Sequence, residues 1–272
     1  MYLSTSSINK TQVTFWSNRI YILTMLVIDK FNCAIMPICK AGSSSLVAAI
    51  AEETYGEEYI ASVKAEHKRG HNARLRTKLY KDFGKIVCDA KVKEEIKNYF
   101  KFSFVKNPWH RIASACLQLR KWMNIAAKPK YKGNLVVHQH KALPFSRLRD
   151  LLKQDYSFEN FVHFVKNIER NHAECANQHW RSQVESLRME ALPPCKTEYD
   201  FIGRLESAQE DYFYIADKLK FKNKTFPILN RAFFNPAKHY DYKEFYTNTK
   251  LIDDVGDYYA RDIEVFKYEF DK

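Results

Sequence analysis

The apolar positions change period several times along the chain, and each change predicts an element. "NCAIMPICK", residues 32–40, is a short apolar run without alternation, which predicts a strand buried on both faces. "SSSLVAAIAEETYG" then switches to helical spacing: Leu46, Ala49, Ile50 and Glu53 recur three or four apart, serines supply the N-cap region, and Gly56 supplies a stop. "VKEEIKNY" reads as a helix, "FKFSFV" alternates like a strand, and "KNPWHRIASACLQLRKWM" is a helix with Pro108 near its start. A strand-to-helix junction therefore occurs twice, the pattern of parallel strands joined by crossover helices. Further on, "SFENFVHFVKNI" and "ESAQEDYFYIADKL" predict amphipathic helices. "LIDDVGDYYARDIEVFKYEF" predicts one closing helix with Val255, Tyr258, Tyr259, Ile263 and Phe266 on its buried side. Between them "AAKPKYKGNLVVHQHKALPFSR" is basic and carries two prolines, which predicts a mobile loop over a site. A solvated charged loop and a contact for an acidic acceptor are equally open readings of it.

Composition narrows the class. With 272 residues, 46% of them hydrophobic and 15% aromatic, the chain can bury a large core, which excludes global disorder. No internal period, low-complexity tract or shift in composition marks a second unit, so residues 1–272 are expected to form a single α/β domain, with 1–30 as an N-terminal extension. The formal charge of +12 calls for an anionic partner: nucleic acid, a membrane surface, an anionic glycan or a nucleotide. Six cysteines without a C-x-x-C pair fit neither a zinc cage nor a dense disulfide framework. "IYILTMLVI" is about half the length that spans a bilayer and lacks a small-residue cleavage site, so the chain is expected to be soluble and cytoplasmic.

The chemistry gathers at the two junctions. "PICKAGSSSL", residues 37–46, places Lys40 before Gly42 and Ser43 to Ser45 at the start of a helix. A nucleotide triphosphatase loop needs four residues between two glycines and then Lys-Ser or Lys-Thr, and that order is absent. A charged lysine, a glycine permitting close approach, and hydroxyls beside free helix N–H groups still suit a terminal anion. The second junction, "FVKNPWHRIASA", sets Lys106, Arg111 and Ser114 around another helix start. Two such junctions on neighbouring strands suit a ligand with phosphates at both ends.

Together these segments resemble the sulfotransferases, in particular the carbohydrate-type family that uses 3′-phosphoadenosine 5′-phosphosulfate (PAPS). The first resembles that family's Pro-Lys-x-Gly-Ser-Thr-Ser loop and the second its Phe-Val-Arg-Asp-Pro-x-x-Arg-x-x-Ser segment. "NQHWRSQ" (177–183) resembles its His-Trp-x-Pro-Gln segment, "YDFIGRLES" (199–207) its Tyr-Asp-Phe-Ile-Gly-Lys-x-Glu segment, and "YYARDIEVFKYEF" its closing helix. The resemblance implies a P-loop-like parallel sheet flanked by helices. It implies that Lys40, Ala41, Gly42, Ser43, Ser44 and Ser45 grip the 5′-phosphosulfate, and that Lys106, Arg111 and Ser114 grip the 3′-phosphate. Cys39 departs from the family's proline, and Lys106-Asn107 from its Arg-Asp, keeping the charge but losing a bidentate fork. Met189 stands where relatives often carry a cysteine pairing with the position of Cys195, which points to a reducing compartment.

Sulfuryl transfer, like phosphoryl transfer, is in-line displacement in which positioning and charge stabilisation dominate. Lys40 is then implied to neutralise the leaving phosphate, with no metal. A base must take the acceptor's proton; His71 is favoured over His67, and His138 and His140 are poorer candidates. His179 and Trp180 are read as packing or shaping the acceptor side. The expected acceptor is a hydroxyl of a carbohydrate or another polar metabolite, with no nucleic-acid partner and no membrane span. A small natural product such as an alkaloid, or a non-catalytic protein binding heparin or nucleic acid, are the alternatives.

Overall fold

The computed structural model describes residues 24–66, 71–86, 88–126, 145–171, 177–193, 195–228 and 241–270. Among these, five strands form one sheet: β1 (Thr24–Ile28), β2 (Cys33–Ile35), β3 (Gly84–Ile86), β4 (Phe100–Val105) and β5 (Phe201–Arg204), in the order β3-β1-β2-β4-β5. β2, β4 and β5 run parallel, pairing Ile35 with Phe102 and Phe104 with Gly203. β1 is antiparallel to both β2 and β3. The all-parallel sheet expected from the sequence is thus corrected to a mixed one. The link explains it. Only a single 3₁₀ turn, Asp29–Phe31, and Asn32 in the left-handed region (φ 47°) separate β1 from β2. A parallel pair needs a crossover of a dozen or more residues.

The helices are α1 (Ser43–Tyr55), α2 (Glu57–Glu66), α3 (His71–Phe83), α4 (Ala90–Glu95), α5 (Pro108–Ala126), α6 (Phe145–Leu151), α7 (Phe158–His163), α8 (Gln183–Leu187), α9 (Ala208–Lys218), α10 (Thr249–Tyr258) and α11 (Ala260–Phe266). They cover both faces of the sheet. Met25, Val27, Ala34 and Val105 point to a core shared with α5, α7 and α10, whereas Leu26, Ile28, Ile35, Phe102 and Phe104 point to one shared with α1, α3 and α9. With both faces buried, β1 and β2 need no polar alternation, which is why their sequence reads as continuous apolar runs.

The strand expected over 32–40 ends at Ile35, and the rest of that run is a loop. The closing helix expected over 251–270 is two helices broken at Tyr259, whose hydroxyl donates to the Trp180 carbonyl. Its buried side is nevertheless as the spacing requires, with Val255, Tyr259 and Phe266 buried and Tyr258 and Ile263 packed against the core. The basic loop's residues 127–144, His138 and His140 among them, lie outside the described residues, as do His67 and most of the 1–30 extension. No described helix is long and apolar enough to cross a membrane.

Cys88 and Cys195 form a disulfide, while Cys33, Cys39 and Cys116 are free and buried. This corrects the expectation about position 189: Cys195 has its partner 107 residues upstream, on the far side of β4. With Cys195 bonded, the argument for a reducing, cytoplasmic compartment loses its ground.

Candidate functional site

The site forms where β2 and β4 end side by side. After β2 the chain turns through Met36 to Gly42 before α1 begins. Met36 N donates to Phe102 O, and the buried Ser103 hydroxyl donates back to Met36 O, so the loop's first residue is bonded to β4. Ala41 N closes a turn on Ile38 O at 3.2 Å. Lys40 inside that turn is left-handed, with φ 67°, a conformation that costs a non-glycine residue about 1 kcal/mol. Gly42 is left-handed too (φ 75°), a conformation that favours glycine, and a Cβ there would also meet Leu205 Cδ1 at 2.7 Å, so any larger residue would have to displace that side chain as well. α1 then opens with Ser43 and Ser45 buried and Ser44 half-buried, its first-turn N–H groups without intrahelical acceptors.

The second junction begins at Lys106, directly after β4. Lys106 and Asn107 are both buried. Asn107 Oδ1 accepts from Trp109 N at 3.0 Å and from His110 N, capping α5, while its amide nitrogen donates to Glu269 O. Gln183, fully buried, holds the Lys106 backbone from both sides: Lys106 N donates to Oε1 at 2.9 Å, and Nε2 donates to Lys106 O at 2.8 Å. Asp262, also fully buried, accepts from Ser182 Oγ, Gln183 N and Val184 N at the start of α8. Glu206 accepts from Asn107 N and from the Tyr268 hydroxyl. The segments that look alike in sequence are therefore one hydrogen-bonded assembly around Lys106.

Arg111 joins the two junctions. Its side chain is fully buried, and its guanidinium donates to three carbonyls: Nε to Cys39 O at 3.0 Å, Nη1 to Arg181 O at 2.7 Å and Nη2 to Gln178 O at 3.0 Å. The loop of Lys40 and the segment 177–183 are both fastened to this one cation. Sequence reasoning placed Arg111 among the anion-holding residues; the structure turns it inward, onto backbone.

Positive charge accumulates here, with Glu206 opposing it at Lys106. The Lys106 ammonium is pulled down to about 7, by burial first and then by Lys40 and Arg111. Lys40 is lowered to about 8 by burial, and Arg111 and Lys121 push the same way. His110, packed parallel to the Tyr242 ring at 4.9 Å, is held neutral to about 3 by burial and by both lysines. Charged groups with depressed affinity for their own protons, gathered at two helix starts, form a site poised for an anion.

Ser114 lies on α5, half-buried, one turn after Arg111. Lys121 follows seven residues later on the same face. Sequence reasoning missed it, although the i, i+7 spacing from Ser114 was there to be read. Gln183, Glu206 and Asp262 stand within the three later segments that carry the resemblance, but sequence reasoning gave them no role; the structure gives them one in holding the Lys106 loop and the start of α8. On the other side of the assembly Asn177 Oδ1 accepts from His179 N and contacts His179 Nδ1 at 2.5 Å, and Trp122 meets the His179 ring edge-on at 4.8 Å. Trp180 is fully buried against Phe161. His71 is the first residue of α3. Among the described residues no group of three or more His, Cys, Asp or Glu is placed to hold a metal.

Similarity to known proteins agrees with this geometry. Carbohydrate sulfotransferase 11 of Rattus norvegicus is 30% identical over 125 residues, 46% of this chain and 34% of the relative. Carbohydrate sulfotransferase 12 of Mus musculus is 30% identical over 155 residues, 55% and 35% of the two chains. Carbohydrate sulfotransferase 14 of Danio rerio is 26% identical over 160 residues, 59% and 39%. The matched part thus spans little more than a third of each relative's length. No solved structure matches. The Sulfotransferase family, however, matches from residue 3 to residue 269, and across that span the chain belongs to it.

Proposed function

We propose that the chain is a PAPS-dependent sulfotransferase whose acceptor is a hydroxyl of a glycan. The observation that carries this reading is the pair of lysines, Lys40 and Lys106, at the starts of two adjacent helices, both lowered by burial first and then by neighbouring positive charge, Lys40 and Arg111 acting on Lys106 and Arg111 and Lys121 on Lys40. PAPS, when bound, supplies an activated sulfuryl group on a phosphate that leaves with negative charge. Lys40, Gly42 and Ser43 to Ser45 would hold its 5′ end, with Lys40 countering charge on the leaving oxygen. Lys106 and Ser114 would hold the 3′-phosphate, and Arg111 would act through the backbone by fixing both loops relative to each other. On the acceptor side His71 is the proposed base, with His67 its neighbour in sequence. The glycan acceptor is supported by the likeness to carbohydrate sulfotransferases and by the +12 charge. The Cys88–Cys195 bond fits an oxidising compartment.

Thermal stabilisation by a nucleotide panel tests the reading. 3′,5′-Adenosine bisphosphate should raise the melting temperature at concentrations where ATP and AMP do little, since binding to the native state stabilises it by mass action. Adenosine 5′-phosphosulfate, lacking the 3′-phosphate, should be insensitive to Lys106→Ala and Ser114→Ala, which should weaken the bisphosphate. Equal shifts with ATP, or none with any nucleotide, would overturn the assignment in favour of a non-catalytic polyanion binder.

A further inference from the structure

A second basic cluster lies at the opposite end of β4. α4 and the turn after it, the first residues of β4, Pro193 and residues 196–198 line an open cavity of about 270 Å³, with Lys93, Lys97, Lys101 and Lys196 facing it and Glu198 as its one lining carboxylate among the described residues. Its apolar wall is Ile96 and Pro193. The volume is near the lower end of small-ligand pockets, enough for a sugar-sized group.

The cavity is braced. Cys195 is bonded to Cys88 just before α4, which ties the two walls together. Lys93 reaches across the floor and donates to Lys196 O at 2.6 Å and Thr197 Oγ1 at 2.8 Å. Lys101 donates to the carbonyls of Tyr99 at 2.8 Å and Lys97 at 3.2 Å, with Asp200 at 3.6 Å. Burial, then the Lys101 charge, lowers the Lys93 ammonium, with Glu198 opposing. Lys97 and Lys196 stand at the rim, Lys97 paired only loosely with Glu94 at 3.6 Å. Four lysines thus face one concavity with Glu198 as its lining carboxylate, an excess of positive charge that favours an anionic occupant. Lysine presents a point charge with rotatable donors, so it suits sulfate or carboxylate groups met in more than one register.

Position adds the second part. Lys101 near the start of β4 and Lys106 just past its end are five residues apart, which is about 17 Å of extended chain. A monosaccharide cannot reach both ends, but a polymer can.

We propose that this lysine-lined cavity is an acceptor exosite, binding a sulfate or carboxylate group of an anionic glycan chain while another unit of the same chain reaches the transfer site. The inference rests on the glycan reading above.

The test uses the full chain and the double variant Lys97→Ala/Lys196→Ala, which changes only rim residues. Binding of a sulfated glycan octasaccharide, a heparin fragment, is measured by calorimetry with the bisphosphate absent, and bisphosphate binding is measured separately. The variant should bind the octasaccharide roughly tenfold more weakly and with a shallower dependence on salt, since each exposed ionic contact contributes up to about 1 kcal/mol. Bisphosphate affinity should be unchanged. With an octasaccharide acceptor KM should rise at constant kcat, and with a short uncharged acceptor neither should change. Unchanged octasaccharide affinity would overturn the exosite. So would equal competition by inorganic sulfate at low millimolar concentration, which would make the cavity a site for a free anion. Loss of bisphosphate binding in the wild type would instead overturn the donor reading, and the octasaccharide measurement is independent of it.

Discussion

At the carboxyl end of β4, Lys106 is buried beside Lys40, and the nearest arginine is bonded to carbonyls; at the amino end, Lys101 and its neighbours sit half-exposed with carboxylates within reach. Both ends are basic, but they are built differently. Around Lys106 the polar partners are inside the protein: Gln183 and Asp262 are fully buried and Glu206 caps the same loop, so its geometry is fixed before any ligand arrives. Around Lys101 the bonds brace the cavity floor and leave the rim lysines adjustable. The first arrangement suits a transition state, where small displacements are costly. The second suits a flexible polymer, where contacts at the rim alter affinity in small increments.

The comparison breaks most visibly at Arg111. Arg111→Met should destabilise the fold by about 3 kcal/mol or more, because three carbonyls lose charge-assisted donors in a buried setting. For a chain of this size that is a fall of roughly 6–12 °C in melting temperature. The rim variant Lys97→Ala/Lys196→Ala should shift it by no more than about 2 °C. Scanning calorimetry of the two proteins checks the contrast; equal shifts would mean that the two ends do not differ in the way their bonding indicates.

This difference also marks what could be read in the sequence. The turn at Lys40 to Gly42 and the serine-rich start of α1 were legible as local structure, because a left-handed turn before a helix start favours glycine and small hydroxyl residues. α1, β4 and α5 were legible because their periods are clean and Gly56 and Pro108 punctuate them. β1 was not, since a five-residue strand buried on both faces has no alternation to betray it. The break at Tyr259 was hidden because the apolar spacing runs through it undisturbed; the cause lies in bonds from Tyr259 and Asp262 to the segment 180–184, which no local pattern records. The inward turn of Arg111 was illegible for the same reason. An arginine at a helix start looks like an anion ligand until its acceptors are placed. The disulfide was missed by looking for a partner near Cys195 when Cys88 lies across the fold.

Next in size is chemistry. Lys40→Ala should depress turnover by roughly 100-fold or more, as expected for loss of charge stabilisation in the transition state. Bisphosphate affinity should suffer less, because Lys106 and Ser114 are intact. His71→Ala should lose a comparable factor in the chemical step with bisphosphate binding kept, while His67→Ala is mild. Single-turnover rates separate the steps. If Lys40→Ala turns over normally, the lysine in the left-handed turn has a merely structural role; if both histidine variants are active, the base is elsewhere, and His179 beside Asn177 becomes the next to replace.

The smallest effect is the pH response, and it has opposite signs with and without ligand. In the free protein Lys106 and Lys40 titrate near 7 and 8, below the ordinary lysine value that they regain on unfolding. Between about pH 7 and pH 10 the unfolded chain therefore carries more protons at these positions, so their contribution to stability increases as pH rises through that window. Ligand binding runs the other way. The bisphosphate is held by the charged ammonium groups, and above pH 7 it must draw a proton onto Lys106 to be held fully. Its affinity should fall by up to roughly 50-fold from pH 7 to pH 9 on account of Lys106, a range in which the phosphate itself, with its second pKa near 6, no longer titrates. Lys106→Arg supplies a charge that does not titrate in this range, so its affinity profile should be clearly shallower than the wild type's, keeping only the part that Lys40 contributes. A steep profile that persists in Lys106→Arg but vanishes in Lys40→Arg would move the titrating contact to the first loop. A profile flat in the wild type would mean that neither ammonium group meets the ligand.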